Sequence, residues 1–451
     1  MSFMPVALAL FFLTYTLMLS LQKARPWIAL SSAALFVLLG SLGLFPEFSY
    51  TWRDALRNVD WNVLLMITGT MGTVYLFIES GMPVLLSDLI ISRLHTEKAF
   101  VVVMSLFAGI ISAFLDNVAT VLMIAPVALA VCKKLKISPV PAIICIAISS
   151  NLQGAATLVG DTTSILLAKA AEMDFLDFFF LEGKPGMFWV TEVGAVAATL
   201  LIVWLFRKKN ERFEVNERTE VKDYFPTFLL LGTILTLILT SFIPYEDAAQ
   251  PGQFFKPAIS NGLICMGFFL IGLLRRLFQD RSFGVVRAAL REIDYYTLGL
   301  LAGLFIVIGA IEEAGIIDRI GELLSGLCAG GSRDSLFLIY TVIVWMSVLF
   351  SAFIDNIPYT ATMLPVVAVI TDRLSASGAP VSPNLLYFGL LIGATLGGNL
   401  TPIGASANVA GIGILRREGY EVSSGTFMKY SIPFTLAAVT TGYLLVWLIW
   451  S

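Results

Sequence analysis

Long apolar stretches dominate the chain, and eight of them continue without interruption for about 20 residues, the length that a helix needs to cross the hydrocarbon core of a bilayer. Polar gaps between them are short. The pattern therefore predicts a polytopic membrane protein built from transmembrane α-helices. The eight stretches cover residues 4–20, 27–45, 61–79, 187–206, 226–243, 258–274, 294–313 and 431–450.

Two further apolar stretches each contain an Asp-Asn pair. The sequence Ser-Ala-Phe-x-Asp-Asn occurs at 112–117, within the stretch 99–132, and again at 351–356, within the stretch 335–371. A carboxylate at membrane depth is costly, so it is expected to have a partner or a function. We expect both stretches to form re-entrant hairpins that turn back at their Asp-Asn pairs.

Glycine-rich breaks interrupt two other apolar stretches. The stretch 139–171 is broken from Gly154 to Thr163, and the stretch 384–415 from Gly397 to Asn408. Backbone that leaves the helix at membrane depth is tolerated only where protein or a water-filled cavity satisfies its polar groups. We therefore expect two helices that cross the membrane with a break near its middle.

Basic residues indicate the orientation, because cytoplasmic loops carry an excess of Lys and Arg. Clusters at 207–222 and 275–291 mark two such loops, and an acidic stretch at 172–182 is placed on the opposite side. With the two hairpins re-entrant, both termini are predicted to be extracytoplasmic. The basic residues that then fall on the cytoplasmic side are Lys23, Arg25, Lys133, Lys134, Lys136, Arg416 and Arg417.

The chain repeats itself. Asp60 and Asp294 open matching stretches 234 residues apart, the two Asp-Asn pairs are 239 residues apart, and Thr157 matches Thr401 at a distance of 244. Under the predicted topology the two copies are inverted in the membrane, as in many secondary transporters. The predicted organisation is one repeat at 1–222 and a second at 223–451.

Composition agrees with a membrane protein and adds few functional constraints. Hydrophobic residues make up 57% of the chain, charged residues 14%, and the mean hydropathy is +0.86, which excludes an ordinary soluble domain. The net charge of -3 is small. We expect a lipid bilayer, the inner membrane of a prokaryote, rather than nucleic acid as its surroundings. No cofactor is expected. The single, scattered cysteines have no metal-type spacing and are interpreted as plain core residues: Cys132, Cys145, Cys265 and Cys328.

The hairpin tips and the helix breaks together predict an ion-binding site. Half-helix N-termini offer N–H groups to an anion, and unwound carbonyls with side-chain oxygens suit a cation. We expect Asp116, Asp161 and Asp355 to bind Na⁺ or carry protons, and Asp161 has no counterpart in the second repeat. The other candidate residues are Asn117, Thr157, Gly160, Thr162, Thr163, Asn356, Asn399, Thr401, Gly404, Ser406 and Asn408.

Purely structural roles are the competing interpretation. An Asp-Asn pair also caps turns, and glycines also allow helices to pack closely. The Asp-Asn pair and the glycine-rich break each occur twice within apolar stretches long enough to span a membrane, which favours a function over a purely structural role.

The motifs resemble the ArsB/NhaD permeases of the ion transporter superfamily, which include arsenite permeases, sodium/proton antiporters and the melanosomal P protein. The resemblance rests on Ala-Phe-Leu-Asp-Asn-Val-Ala-Thr at 113–120, Thr-Leu-Val-Gly-Asp at 157–161, Asp-Asn-Ile-Pro-Tyr-Thr at 355–360 and Gly-Gly-Asn-Leu-Thr-Pro-Ile-Gly at 397–404. It implies a scaffold domain for homodimerisation and a transport domain that carries the hairpins and breaks and moves as an elevator.

The resemblance favours Na⁺/H⁺ antiport, because the Thr-rich segment after Asp161 resembles sodium/proton antiporters and arsenite permeases usually lack an acid at the position of Asp355. Na⁺ and H⁺ are the expected coupling ions. The alternatives are Na⁺- or H⁺-coupled transport of an anion (arsenite, chloride or a carboxylate), a channel, and an intramembrane aspartyl protease, which the duplicated motif does not support. A transporter, not an enzyme, is therefore expected.

Overall fold

A computed structural model describes residues 3–209, 219–221, 223–243, 246–247, 250–254, 259–325, 333–376 and 382–451. Its first half holds α1 Met4–Ser20, α2 Arg25–Ser41, α3 Trp52–Asn58, α4 Trp61–Glu79, α5 Met82–Ile91, α6 Glu97–Ser112, α7 Asn117–Leu135, α8 Val140–Gly154, α9 Thr162–Ala170 and α10 Met187–Leu205, with a β-hairpin of β1 Phe180–Leu181 and β2 Lys184–Pro185.

The second half has α11 Phe225–Ser241, α12 Ser260–Asp280, α13 Phe283–Arg291, α14 Tyr295–Glu313, α15 Ile316–Ser325, α16 Arg333–Ser351, α17 Asn356–Ala376, α18 Pro383–Leu391, α19 Ser406–Arg417 and α20 Ser424–Trp450. A π-helical turn, Ile392–Leu396, continues α18. A second β-hairpin, of β3 Glu246–Asp247 and β4 Gln250–Phe254, lies between α11 and α12. Arg212, Arg218, Lys222 and Cys328 lie outside the described residues.

The prediction of an all-α polytopic membrane protein is confirmed. Within the described part of the chain, seven helices are long and apolar enough to cross a membrane: α4, α7, α10, α12, α14, α16 and α20. Shorter apolar helices, including α1, α2, α8 and α11, accompany them.

Each Asp-Asn pair joins two helices. The tip at 113–116 separates α6 from α7, and the tip at 352–355 separates α16 from α17. Both α7 and α16 have 19 residues, long enough to cross a membrane, so the re-entrant character of the hairpins stays a prediction.

The same succession of helices occurs twice. From α4 to α10 the order is a long helix opened by Asp60, a ten-residue helix, a hairpin, two half-helices and a long helix, and α14 to α20 follow the same order after Asp294. Both aspartates cap their helices by accepting a backbone N–H, that of Val63 at 3.0 Å and that of Thr297 at 3.0 Å. The inversion of the halves and the boundary at 222 stay predictions.

Two pairs of helices, each with one helix from either half, pack closely together: α2 with α14, and α4 with α12. Glycine allows the close approach. A β-carbon at Gly69 would lie 2.4 Å from the carbonyl carbon of Cys265, and one at Gly303 would lie 2.8 Å from the β-carbon of Ala29. In a membrane, such small residues bring helix backbones together and allow dense van der Waals packing.

The broken helices pack against the hairpin of the opposite half. Helix α19 contacts α7 and α8, while α9 contacts α17 and α18. These contacts between the halves bring both hairpin tips and both breaks to one buried region.

Candidate functional site

Asp116 forms the tip of the first hairpin and caps α7. Its Oδ2 accepts the backbone N–H of Ala119 at 3.0 Å, so the structural role considered for the Asp-Asn pair is present at this tip. Asp116 also borders a crevice lined by Thr70 and Thr73 of α4 and by Thr233 of α11. The other side chains that line the crevice are apolar, and no basic side chain among the described residues forms an ion pair with Asp116.

At each break a threonine side chain donates a hydrogen bond to a backbone carbonyl of the adjacent hairpin tip. Thr157 Oγ1 donates to the carbonyl oxygen of Ala113, and Thr401 Oγ1 donates to that of Ala352. The Thr protons are therefore already used to hold the tip. Lone pairs of the two hydroxyl oxygens stay available to a cation.

Gly160 and Gly404 sit where the breaks cross the hairpins. A β-carbon at Gly160 would lie 2.5 Å from the carbonyl oxygen of Gly154 and 2.8 Å from that of Ala113. At Gly404 the corresponding distances, to the carbonyl oxygens of Gly398 and Ala352, are 2.6 and 2.7 Å. Both glycines are needed for close approach of backbone to backbone, which supports the packing interpretation for them.

Side chains of the half-helices that follow the breaks form hydrogen bonds with backbone carbonyls that precede the breaks. Ser164 Oγ donates to the Gly154 carbonyl at 3.3 Å. Asn408 occupies the matching position in the second half and its Nδ2 donates to the carbonyl of Gly398 at 3.2 Å. The half-helices α9 and α19 thus begin, at Thr162 and Ser406, next to the residues that precede the breaks.

A cluster of buried amides joins the two halves. Asn151 Nδ2 donates to the carbonyl oxygen of Thr395 at 2.8 Å and to Asn399 Oδ1 at 3.1 Å, and Asn151 Oδ1 accepts Asn117 Nδ2 at 2.9 Å. Asn399 Nδ2 in turn donates to the Ile148 carbonyl at 2.8 Å. Asn151 and Asn399 have no exposed surface. The amides therefore hold the first hairpin, the helix before the first break and the second break in one network.

Asp161 lies in the same network. Its Oδ2 accepts Thr163 Oγ1 at 2.9 Å and Asn356 Nδ2, from the opposite hairpin, at 3.2 Å. Thr163 Oγ1 is also 2.8 Å from Thr395 Oγ1. The acid that has no counterpart in the second half thus contacts residues of both halves, and Asp161 is only 3% exposed.

Asp355 has different partners from Asp116. Its Oδ2 accepts Arg25 Nη1 at 2.9 Å and Ser406 Oγ at 3.2 Å. Asp355 Oδ1 is buried and has no hydrogen-bond partner among the described residues. A buried acceptor without a donor is available to a cation or a proton.

No three Asp, Glu, His or Cys side chains of the described residues are grouped closely enough to hold a metal ion. The predicted Na⁺ ligands Asp116, Asp161 and Asp355 therefore do not form a shared metal centre of three carboxylates. A hard cation such as Na⁺ would instead take one carboxylate together with amide, hydroxyl and carbonyl oxygens, and the network supplies these groups.

Two site residues escaped the sequence analysis. Asn151 and Thr395 lie just before the glycine-rich breaks, outside the residues assigned to the breaks. They are 244 residues apart, the same separation as Thr157 and Thr401, so extending the repeat alignment by six residues would have found them.

Arg25 does not lie in a loop as the sequence predicts. The basic pattern places it among the cytoplasmic loop residues, whereas in the structure it is 6% exposed and bonded to Asp355 and to the carbonyl oxygen of Met18. As a buried partner of a site carboxylate, it does not report membrane orientation as a loop residue would. The reason for the difference is tertiary, because 330 residues separate the two partners.

Comparison with known proteins agrees with this architecture. The sequence profile of the CitMHS family, described as "Citrate transporter", matches residues 8–393. The chain belongs to the CitMHS family. This CitMHS protein is 30% identical to Uncharacterized transporter MT2759 of Mycobacterium tuberculosis, and the similarity covers 98% of each chain.

Two more comparisons extend the relationship. The human P protein is 28% identical over 92% of this CitMHS chain and 56% of its own length, which agrees with the resemblance found from the motifs. The YdaH transporter of Alcanivorax borkumensis has a similar fold, with a TM-score of 0.58, 16% identity and coverage of 94% of this chain and 98% of its own. The CitMHS protein is therefore a multi-pass membrane transporter and not an enzyme. Membership of the ArsB/NhaD family in particular stays a prediction.

Proposed function

We propose that this CitMHS protein is a secondary active transporter that exchanges Na⁺ for H⁺. The observation that carries the proposal is an excess of acid where the halves meet. Asp116, Asp161 and Asp355 lie at the tips and the first break, and Arg25 is the single basic group bonded to them among the described residues. Uncompensated carboxylates at membrane depth favour a cation or a proton as the bound species.

Exchange follows from competition for the same oxygens. A carboxylate that holds Na⁺ cannot also hold a proton, so release of one species allows the other to bind. Asp161 is the central residue in this proposal because its Oδ2 accepts hydrogen bonds from Thr163 of the first half and Asn356 of the second, so a change in its charge acts on both halves. Asp116 would serve as the second acid, on the side of the site that faces α4 and α11.

An elevator motion is part of the proposal. The helices that pack across the halves, α2 with α14 and α4 with α12, would form a scaffold and a homodimer interface. The hairpins and half-helices α6–α9 and α16–α19 would move as the transport unit. Both termini would be extracytoplasmic, in a prokaryotic inner membrane.

Proteoliposomes with an internal pH-sensitive dye test the exchange. A tenfold Na⁺ gradient is expected to drive proton flux through the wild type, while Asp161→Asn and Asp116→Asn lower the Na⁺-dependent flux at least tenfold. Asp223→Asn is the matched control, because Asp223 is paired with Arg275 away from the tips and breaks. A wild type whose proton flux does not respond to Na⁺, Li⁺ or K⁺ would contradict the proposal, and so would undiminished flux in both site variants.

A cation-coupled carrier of an organic carboxylate is the second candidate. The family description "Citrate transporter" favours it, as does the buried Arg25, a group that can bind a carboxylate. Half-helix N-termini at Thr162 and Ser406 would add N–H donors. Uptake of radiolabelled citrate, with arsenite and chloride as competitors, separates the two candidates: citrate uptake that depends on a Na⁺ or H⁺ gradient supports the carrier, and its absence alongside Na⁺-driven proton flux supports the antiporter.

A further inference from the structure

The two hairpin tips have the same sequence but opposite electrostatic surroundings. Asp355 is bonded to Arg25 at 2.9 Å, with the side chains 7% and 10% exposed for Arg25 and Asp355, respectively. Asp116, at the matching position, borders a crevice lined by apolar side chains together with Thr70, Thr73 and Thr233, and no basic side chain of the described residues forms an ion pair with it. One tip carboxylate is therefore neutralised by the chain itself, and the other is not.

Arg25 is placed on the scaffold side of this contact. It is the first residue of α2, the helix that packs along α14, and its Nε donates to the carbonyl oxygen of Met18 at 3.2 Å. Close by, Tyr15 Oη of α1 donates to the carbonyl oxygen of Pro358 at 3.3 Å, one turn into α17. The contact thus connects α1 and α2 to the beginning of the second hairpin's outgoing helix.

The position of Arg25 is unfavourable without Asp355. The N-terminus of a helix carries partial positive charge, which repels a guanidinium in the first turn. Burial removes the water that would otherwise solvate Arg25, and a buried charge is tolerated only when it is paired. Because Arg25 Nη1 and Nε each have a protein acceptor, the arginine is held in place for the carboxylate.

We propose that Arg25 is a tethered counter-cation that competes with the transported cation for Asp355. This inference rests on the proposed function and deepens it. While Arg25 holds Asp355, the transported cation is left with Asp116 and Asp161. Removal of the positive charge frees a third carboxylate, so Arg25 sets how strongly the site binds its cation.

Thermal unfolding of the purified, detergent-solubilised full chain at increasing NaCl tests the inference, with choline chloride used to keep ionic strength constant. The quantity compared is the Na⁺ concentration that gives half of the maximal rise in Tm. We expect Arg25→Gln to lower it at least fivefold, Arg25→Lys to keep it within twofold, and Arg25→Gln combined with Asp355→Asn to return it to within twofold of the wild type.

Arg275→Gln is the matched control, since it removes an arginine from an ion pair with Asp223 outside the site and is expected to leave the half-maximal concentration unchanged. A purely structural role of Arg25 would lower the Tm without Na⁺ and leave the Na⁺ concentration for half-maximal stabilisation where it is. That result in a monodisperse Arg25→Gln protein would overturn the inference.

If Arg25→Gln does not fold, the double variant Arg25→Gln with Asp355→Asn provides the test. It is expected to fold because two neutral amides replace the ion pair and leave no unpaired charge. A half-maximal concentration within twofold of the wild type supports the inference, and a larger shift overturns it. A wild type that is not stabilised by Na⁺ or Li⁺ contradicts the proposed function and this inference together, whereas a wild type that responds while Arg25→Gln matches it contradicts this inference alone.

Discussion

Asn151 shows how much of the site depends on one side chain. Its amide uses Oδ1 for the first hairpin, through Asn117, and Nδ2 for the second break, through Thr395 and Asn399. In the sequence it is one of four polar residues, with Ser149, Ser150 and Gln153, at the end of an otherwise apolar stretch. Its importance comes from meeting groups 34 to 248 residues away along the chain.

We expect Asn151→Ala to destabilise the protein by about 1–3 kcal/mol, because it leaves buried donors and acceptors without partners. Na⁺-driven flux should fall with it, since the first hairpin loses its link to the second break. Asn384→Ala is the control, as Asn384 donates one longer bond within the described part of the chain, 3.3 Å to Glu182, away from the tips. Thermal unfolding and flux of the two variants are the measurements, and a wild-type Tm for Asn151→Ala would contradict the role assigned to the amide cluster.

Arg25 is a residue that the sequence does single out, but with a role different from the one it has in the structure. From the sequence it is one of two basic residues, with Lys23, between two apolar stretches, and the positive-inside rule gives it a role that needs no partner. Only the folded chain shows that it is buried against Asp355. Asp355 itself was predictable, because its motif occurs twice.

Among the elements, the broken helices are where sequence and structure correspond most directly. Glycine, threonine and aspartate interrupt the apolar residues from Gly154 to Thr163, and α8 ends at Gly154 while α9 begins at Thr162. The second interruption is more gradual, since a π-helical turn Ile392–Leu396 follows α18 before the chain leaves the helix. Such a π-turn has no simple sequence signature, and it is common at functional sites.

Gly160→Ala and Gly404→Ala test the contact between break and hairpin tip. The added methyl group would lie within 2.9 Å of three backbone carbonyl oxygens at either position, and backbone cannot move aside as a side chain can. We expect a loss of about 1–3 kcal/mol in stability for each variant, typical of overpacking. Differential scanning fluorimetry of the purified variants measures it.

Gly413→Ala provides the matched control. Gly413 lies within α19, and a β-carbon there would have no heavy atom within 4 Å apart from its immediate helix surroundings. Alanine should therefore stabilise the helix by about 0.5–1 kcal/mol. Equal stability of Gly160→Ala and Gly413→Ala would argue against a tight crossing of break and hairpin.

At the scale of the whole molecule, the two halves are joined in two places of different character. The pairs α2–α14 and α4–α12 bring helix backbones into direct contact at Gly303 and Gly69, while the tips and breaks meet through buried polar side chains. Backbones in such close contact leave little room for rearrangement. This difference supports the assignment of the first as scaffold and the second as the moving part in the proposed elevator.

Gly69→Ala and Gly303→Ala test the scaffold contact. Both glycines touch the backbone or β-carbon of the facing helix, so alanine should push the helices apart and lower the stability by about 1–3 kcal/mol. Gly299→Ala, four residues from Gly303 on the same helix, has its nearest neighbour at an ordinary 3.6 Å and should be neutral or slightly stabilising. Thermal unfolding in detergent compares the three, and a neutral result for both Gly69→Ala and Gly303→Ala would contradict a closely packed scaffold.

The sequence by itself determined the solvent and the fold class, and it indicated the candidate site. Runs of apolar residues must lie in lipid, and an acid or a glycine-rich break within such a run is retained only where something satisfies it, so Asp116, Asp161 and Asp355 could be found by their cost alone. Tertiary structure decided the partners. Hydrogen bonds and ion pairs act over about 3 Å in space and are blind to separation along the chain, so only folding could place Arg25 on Asp355 and Asn151 on Asn399.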